Sequence, residues 1–411
     1  MPLLKSISLI IFLLLPFLSF TQDDTCDCNA DLAYLHSKVK KTKAYKQNKE
    51  AYKKAYDQAA KKAASIHTIY PCHQLLNRLI LSINDNHSRI YGLDKGATKT
   101  IRENEGKLDS FKTTSFFQIY PKWEIDLDSL EHHLESYPLS EVEGIYNYDT
   151  LFKIAIFKYG GEDFYHSVIL ESKSTLWERG EESHTLVPFG KDYFLAIGGN
   201  LSSKRLLTYT ERLENGSFQF LRFSKRPAPT KKSRQTLSDD TYFREEISED
   251  ITYIRLGSFS SWYPTLGEAE EFYKSLKGNL NKKHLIVDLR GNTGGGDRNS
   301  DIIFKILKKY AKKNKIYVLT NFRTMSNGEQ FTLRLRKFDR YTHLGQRTNG
   351  CLAYEIKDSS YELPSGHFIA VLTKNKFKQY LAYESQGIEP NIALGQDEDW
   401  IQAIQDLINN Q

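Results

Sequence analysis

Asp288-Leu289-Arg290-Gly291-Asn292-Thr293-Gly294-Gly295-Gly296 lies between a run of apolar residues, Leu285 to Leu289 interrupted only by Asp288, and a helical pattern from Ser300 to Tyr310. A run of that length reads as a buried strand. The glycines then form a turn at the strand's carboxyl end, just before a helix. Such a turn brings backbone N–H groups towards a bound anion or a developing oxyanion. The stretch has neither the spacing of the dinucleotide fingerprint nor the Lys-Ser/Thr ending of a phosphate loop. An oxyanion hole is therefore the stronger reading, and a tight turn without chemistry is the alternative for the stretch taken alone.

The same alternation continues on both sides. Ile251 to Leu256 reads as a strand, Leu266 to Leu276 as a helix, Ile316 to Thr320 as a strand, and Trp400 to Ile408 as an amphipathic helix. Strands alternating with helices predict an α/β unit over 236–411, with a parallel or mixed sheet covered by helices. One βαβ step after the glycines, Thr324-Met-Ser-Asn-Gly-Glu329 places Ser326 at a strand-to-helix junction, where a helix N-terminus favours negative charge. Ser326 with Glu329 three residues later also reads as a capping box. Both can hold, with the N–H of Asn327 facing an oxyanion.

Upstream, the segments Phe152–Phe157, Tyr165–Leu170, Tyr193–Ile197, Leu206–Thr210 and Phe218–Phe223 are short and rich in aromatic and β-branched residues. They predict an antiparallel β domain over 93–235, with Arg226 to Arg234 as a linker. Residues 22–92 predict a helical unit. Tyr52, Tyr56, Ala59 and Ala63 recur at helical spacing, and a later helix around Pro71 carries Cys72, Leu75, Leu76, Leu79, Ile80 and Ile83 on one face. Asn84-Asp85-Asn86 ends that helix, and His87 follows in the loop.

Composition excludes whole classes. With 411 residues, 40% hydrophobic and 26% charged, the chain is globular rather than disordered, collagen-like or coiled-coil. Ten lysines between Lys38 and Lys62 face only Glu50 and Asp57; on an amphipathic helix they form its solvated face, and no nucleic-acid partner is expected. Ile7 to Phe20 carries no charge and follows Lys5, as in a secretory signal peptide, residues 1–21. The mature protein is then secreted or periplasmic, with no stable membrane insertion. Export permits disulfides, and Cys72 is expected to pair with Cys26 or Cys28. Paired spacings for a metal site are lacking, so neither metal nor cofactor is expected.

Five motifs in order carry a resemblance. DLRGNTGG, TMSNGE, GQRTNG at Gly345–Gly350, YESQGIEPNI at Tyr383–Ile392 and, far upstream, DNH at Asp85–His87 together resemble the tail-specific, or C-terminal processing, serine peptidases. The resemblance covers about 170 residues at the carboxyl end plus the His segment. It implies a crotonase-like catalytic core on 236–411 with the helical unit and the β domain added to it. One branch of that family uses a lysine as base in the motif resembling GQRTNG; here Cys351 stands there. The tricorn-like branch uses an upstream histidine and a glutamate before Gly-Ile-x-Pro, which this chain has as His87 and Glu384.

The resemblance implies an exported serine endopeptidase acting on peptides or unfolded proteins. Ser326 would be the nucleophile and His87 the base, with Glu384 orienting His87 through an intervening group. The N–H groups of Asn327 and of Gly294 or Gly295 would form the oxyanion hole. Asn86 stands where a relay serine is expected. Cys351 reads as a small buried residue or a redox-sensitive contact, and the middle region shows no evident PDZ module. The competing reading is a catalytically inactive peptidase-like scaffold that binds a ligand or protein.

Overall fold

A computed structural model describes residues 25–93, 108–190, 192–226 and 235–410. The expected signal peptide and most of the expected linker, 227–234, lie outside the described residues.

The amino-terminal unit begins with helices Cys28–Val39, Lys43–Gln47, Lys49–Ala63 and Ile69–Leu81. The third buries Tyr52, Ala59 and Ala63 and leaves its lysines in solvent. A disulfide joins Cys28 to Cys72, tying the first helix to the fourth; Cys26 and Cys351 are buried free thiols. After the fourth helix the chain turns through 82–88 into a short strand, β1 (Arg89–Gly92).

The middle region carries short helices at Leu108–Lys112, Ser115–Gln118 and Leu127–Leu134, then seven strands: β2 (Gly144–Tyr148), β3 (Phe152–Phe157), β4 (Tyr165–Ser172), β5 (Glu182–Phe189), β6 (Tyr193–Gly199), β7 (Leu206–Glu214) and β8 (Ser217–Phe218). They form one antiparallel meander in chain order. The expected strand Phe218–Phe223 stops at Phe218. There the buried carboxylate of Glu211 accepts the N–H groups of Phe220 and Leu221, so those groups leave the ladder, and Arg222 takes a positive φ.

The carboxyl-terminal region supplies β9 (Tyr242–Glu246), β10 (Ile251–Leu256), β11 (His284–Asp288), β12 (Lys315–Thr320), β13 (Tyr341–Gly345), β14 (Tyr354–Glu362), β15 (Phe368–Lys376) and β16 (Ile392–Ala393). Six of these form a sheet ordered β16-β13-β12-β11-β10-β9, parallel except between β9 and β10. Side chains alternate across it as the pleat requires. Ile254, Leu285, Val287, Ile316 and Val318 meet the helices Thr265–Leu276, Asp297–Tyr310 and Asn327–Leu335 on one face. Tyr253, Ile286, Tyr317, Leu319 and Leu344 meet the helix Trp400–Asn409 on the other. The molecule is thus mixed α/β, and no described helix is long and apolar enough to cross a membrane.

The remaining strands build a third sheet, β1-β15-β14, all antiparallel. Arg89 pairs with Val371 and Gly92 with Phe368. Ile90, Phe368, Ala370 and Leu372 share one apolar cluster with Leu32 and Leu76 of the amino-terminal helices. The His87 loop is therefore anchored to a hairpin that follows Ser326 in sequence.

Candidate active site

β12 runs through Asn321–Met325 into the helix Asn327–Leu335, and Ser326 stands at the turn with φ 53° and ψ −122°. A positive φ is unusual for a side chain larger than glycine and needs support from its surroundings. Two acceptors supply that support, since the Ser326 N–H points to the Cys351 carbonyl at 2.8 Å and to Glu329 Oε2 at 3.1 Å. Gly294 packs so close that a Cβ there would lie 2.7 Å from Ser326 Cβ and 2.9 Å from the Asn327 nitrogen. The expected capping box forms between Ser326 and Glu329, and the same hydroxyl also serves the site. Glu329 accepts from the Ser326 backbone, while the Ser326 hydroxyl lies 2.9 Å from His87 Nε2.

His87 reaches Ser326 because its own segment is pinned from several sides. Asp85 is buried; its Oδ1 accepts the N–H groups of His87 and Ser88, and its Oδ2 accepts the hydroxyls of Ser88 and Thr373, both at 2.6 Å. Glu384 is buried as well. Its Oε1 accepts the backbone N–H of Asn86 at 2.8 Å, and its Oε2 accepts those of Leu352 and Ala353 at 2.9 and 2.7 Å. Asn86 therefore meets Glu384 through its main chain, and its side-chain amide donates to the Gly350 carbonyl instead. This corrects the relay expected of that side chain. Burial lowers the pKa of His87, against the upward pull of Asp85, so the ring favours the neutral form a base requires. If Nε2 accepts from Ser326, the ring proton sits on Nδ1, and that nitrogen is buried without a hydrogen-bond partner.

Of the two glycines expected as alternatives beside Asn327, one has its N–H engaged. The Gly294 N–H donates to Asn292 Oδ1 at 2.8 Å, so it is engaged inside the turn. Among the described residues the N–H groups of Gly295 and Asn327 make no such bond, and both residues line one cleft with Ser326. Asn292 also donates to the Leu256 carbonyl and accepts the Met325 N–H, which fastens the glycine turn to the Ser326 turn. Asp288 and Arg290 form a buried ion pair at 2.6 Å beneath it. Gly295 lies against Phe259, whose N–H and carbonyl bond Gly294 and Gly296. A cleft of about 310 Å³ opens over the centre, lined by His87, Gly295, Ser326, Asn327, Cys351 and Ile356 among others.

Two residues absent from the sequence reading as functional candidates shape this centre. Asp85 is one. Glu329, expected only as a cap, is the other: it also takes Thr348 Oγ1 at 2.5 Å and the N–H groups of Gly350 and Cys351. Burial pushes its pKa up to about 7. A run of like-sized polar residues gives no hint of such convergence; only the Glu three residues after Ser326 pointed towards it. The Cys351 thiol is buried and its pKa raised well above the ordinary value by burial, which keeps it protonated and a weak nucleophile.

A metal is poorly served here. One donor atom each of Asp85, His87 and Glu384 lies within 4.8 Å of the others, but both carboxylates already accept three or four internal hydrogen bonds. An ion would have to displace those bonds.

Residues 250–309 and 297–394 match the profile of peptidase family S41. Among solved structures, the photosystem II D1 C-terminal processing protease shares 12% identity over 91% of this chain and 96% of its own, with a TM-score of 0.40. Mature CPAF shares 11% over 94% and 98%, with a TM-score of 0.44. The tricorn protease shares 15% over 93% of this chain and 37% of its own, with a TM-score of 0.43. No curated protein sequence matches the chain.

Proposed function

We propose that this chain, whose residues 250–394 match peptidase family S41, is a serine endopeptidase of the tricorn-like Ser-His-Glu type, cutting peptides or unfolded proteins. The observation that carries this is the 2.9 Å contact between His87 Nε2 and Ser326 Oγ, made across 239 positions of sequence. Chance packing seldom brings a neutral histidine and a strained serine together in a cleft.

In this reading Ser326 Oγ attacks the scissile carbonyl carbon while His87 Nε2 takes its proton. The N–H groups of Asn327 and Gly295 hold the tetrahedral oxyanion, and removing one such donor typically costs about 2.7–4 kcal/mol. His87 then gives the proton to the leaving amine, and a water activated by His87 hydrolyses the acyl-enzyme. Glu384 holds the His segment by accepting the Asn86 N–H. Cys351 occupies the place of the other branch's lysine and takes no proton.

The finer architecture belongs to the same proposal. The parallel sheet with its helices is a crotonase-like core over 236–411, to which the helical unit 22–92 and the β domain 93–235 are added. Residues 1–21 are a signal peptide, and the protein works outside the cytoplasm, in keeping with the Cys28–Cys72 disulfide. The test is hydrolysis of an unfolded, dye-labelled protein by the wild type, Ser326→Ala and His87→Ala. Losses of about a thousandfold or more in both variants, with unchanged circular dichroism, are expected. Full activity in His87→Ala would remove His87 from the mechanism.

A further inference from the structure

Two buried carboxylates stand behind His87. Asp85 and Glu384 are 2% and 3% exposed, and an oxygen of each lies within 4.8 Å of the other and of a His87 ring nitrogen. No hydrogen bond joins Glu384 to the ring, and Nδ1 has no partner. Two carboxylates this close in a dry site oppose each other's ionisation.

The hydrogen bonds indicate which of the two takes up a proton first. Each oxygen of Asp85 accepts two donors, including two hydroxyls at 2.6 Å; a proton on Oδ1 would break an N–H bond, and one on Oδ2 would force a hydroxyl to reverse from donor to acceptor. Glu384 accepts three backbone N–H groups, and only Asn86 reaches its Oε1, which leaves a lone pair able to hold a proton. Aspartate is also the stronger acid of the two in water.

We infer that Asp85 carries the negative charge that steadies the His87 imidazolium, and that Glu384 is the neutral partner in the resting enzyme. Asp85 is thus a positioning residue: it holds the His87 main chain by Oδ1 and the ring by its field. The inference rests on His87 acting as the base for Ser326. In the proton-transfer step the Ser326 hydroxyl proton moves to Nε2 and later to the leaving amine; Asp85 takes none. Burial and the nearby Asp85 charge push the Glu384 carboxyl up to about 8, in the same direction. The other groups around His87 are Arg89 on β1, which opposes its protonation, and Glu355 on β14, which favours it. The Cys351 thiol stays neutral.

The deciding experiment is a histidine NMR titration of the full chain, with the His87 signal identified by its loss in His87→Gln. Glu384→Gln is expected to move the His87 pKa by less than about half a unit, whereas Asp85→Asn lowers it by about one unit or more. The acid limb of kcat/KM follows the same ranking, moving to lower pH in Asp85→Asn with KM little changed. Shifts of equal size, or a larger one in Glu384→Gln, overturn the inference. Where Asp85→Asn does not fold, Glu384→Gln alone decides, because a shift of a full unit there contradicts the assignment. The titration reads the same whether or not any peptide is cut, so its failure is separable from failure of the peptidase reading.

Discussion

Glu329 shows what single residues add to motifs. Its carboxylate gathers the Ser326, Gly350 and Cys351 N–H groups and the Thr348 hydroxyl, so it fixes the Ser326 turn against the Gly345–Gly350 loop. Its folded pKa, raised from 4.5 to about 7, means that the folded chain binds a proton the unfolded chain has already lost between those values. The stability this contributes is complete below pH 4.5 and is lost as pH rises through about 7. Glu329→Gln cannot titrate, so the melting-temperature gap between variant and wild type should narrow from pH 5 to pH 8. A constant or widening gap in a thermal melt series would contradict the assignment. The glycine-rich turn, the serine and the histidine were all legible as residues, since each sits in a recognisable local pattern. Which of the two glycine N–H groups is free was not legible, because the side chain of Asn292 occupies that of Gly294 and spacing cannot reveal where a side chain reaches.

At the scale of elements, the decisive pairing is β1 with β15. β1 is only four residues long, and its partner lies about 280 positions away, so no periodicity announces it. β14, reading YEIKDSSYE, alternates too weakly to stand out. By contrast β3, β10 and β12 were legible because contiguous apolar or aromatic residues mark them locally. The outer edge of β1 is held by a helix side chain: Asn77 accepts the Ile90 N–H at 3.0 Å and donates to its carbonyl at 3.1 Å. Asn77→Ala leaves the buried Ile90 N–H without its partner, while the Ile90 carbonyl keeps His73 and Thr208, which costs about 1–3 kcal/mol. Because His87 lies three residues before Ile90, kcat should fall by roughly tenfold with KM for a short peptide little changed. Urea denaturation and steady-state kinetics check both; destabilisation with unaltered kcat would show that β1 does not place His87.

At the scale of the whole molecule, the seven-stranded meander braces the loops of the site. The Tyr193 hydroxyl donates to the Gln386 carbonyl at 3.0 Å and reaches that of Thr348 at 3.4 Å. Arg347 pairs with Asp192, and Arg323, three residues before Ser326, donates to the Phe220 carbonyl at 3.2 Å. The meander was legible as aromatic strands, but its contact with the loops around Ser326 was not, because tertiary docking leaves no periodic trace. The Cys28–Cys72 disulfide spans 44 positions, and closing such a loop typically stabilises by about 2–4 kcal/mol. Reduction with dithiothreitol should therefore lower the unfolding midpoint clearly, and an unchanged midpoint would show that helix packing alone holds the amino-terminal unit. The central claim, that Ser326 is a nucleophile activated by His87, is met most directly by treating the folded protein with a fluorophosphonate and locating the adduct by mass spectrometry. The account predicts one adduct, on the peptide containing Ser326, absent in Ser326→Ala and strongly slowed in His87→Ala. No adduct on the folded wild type, or one on another serine, would contradict it.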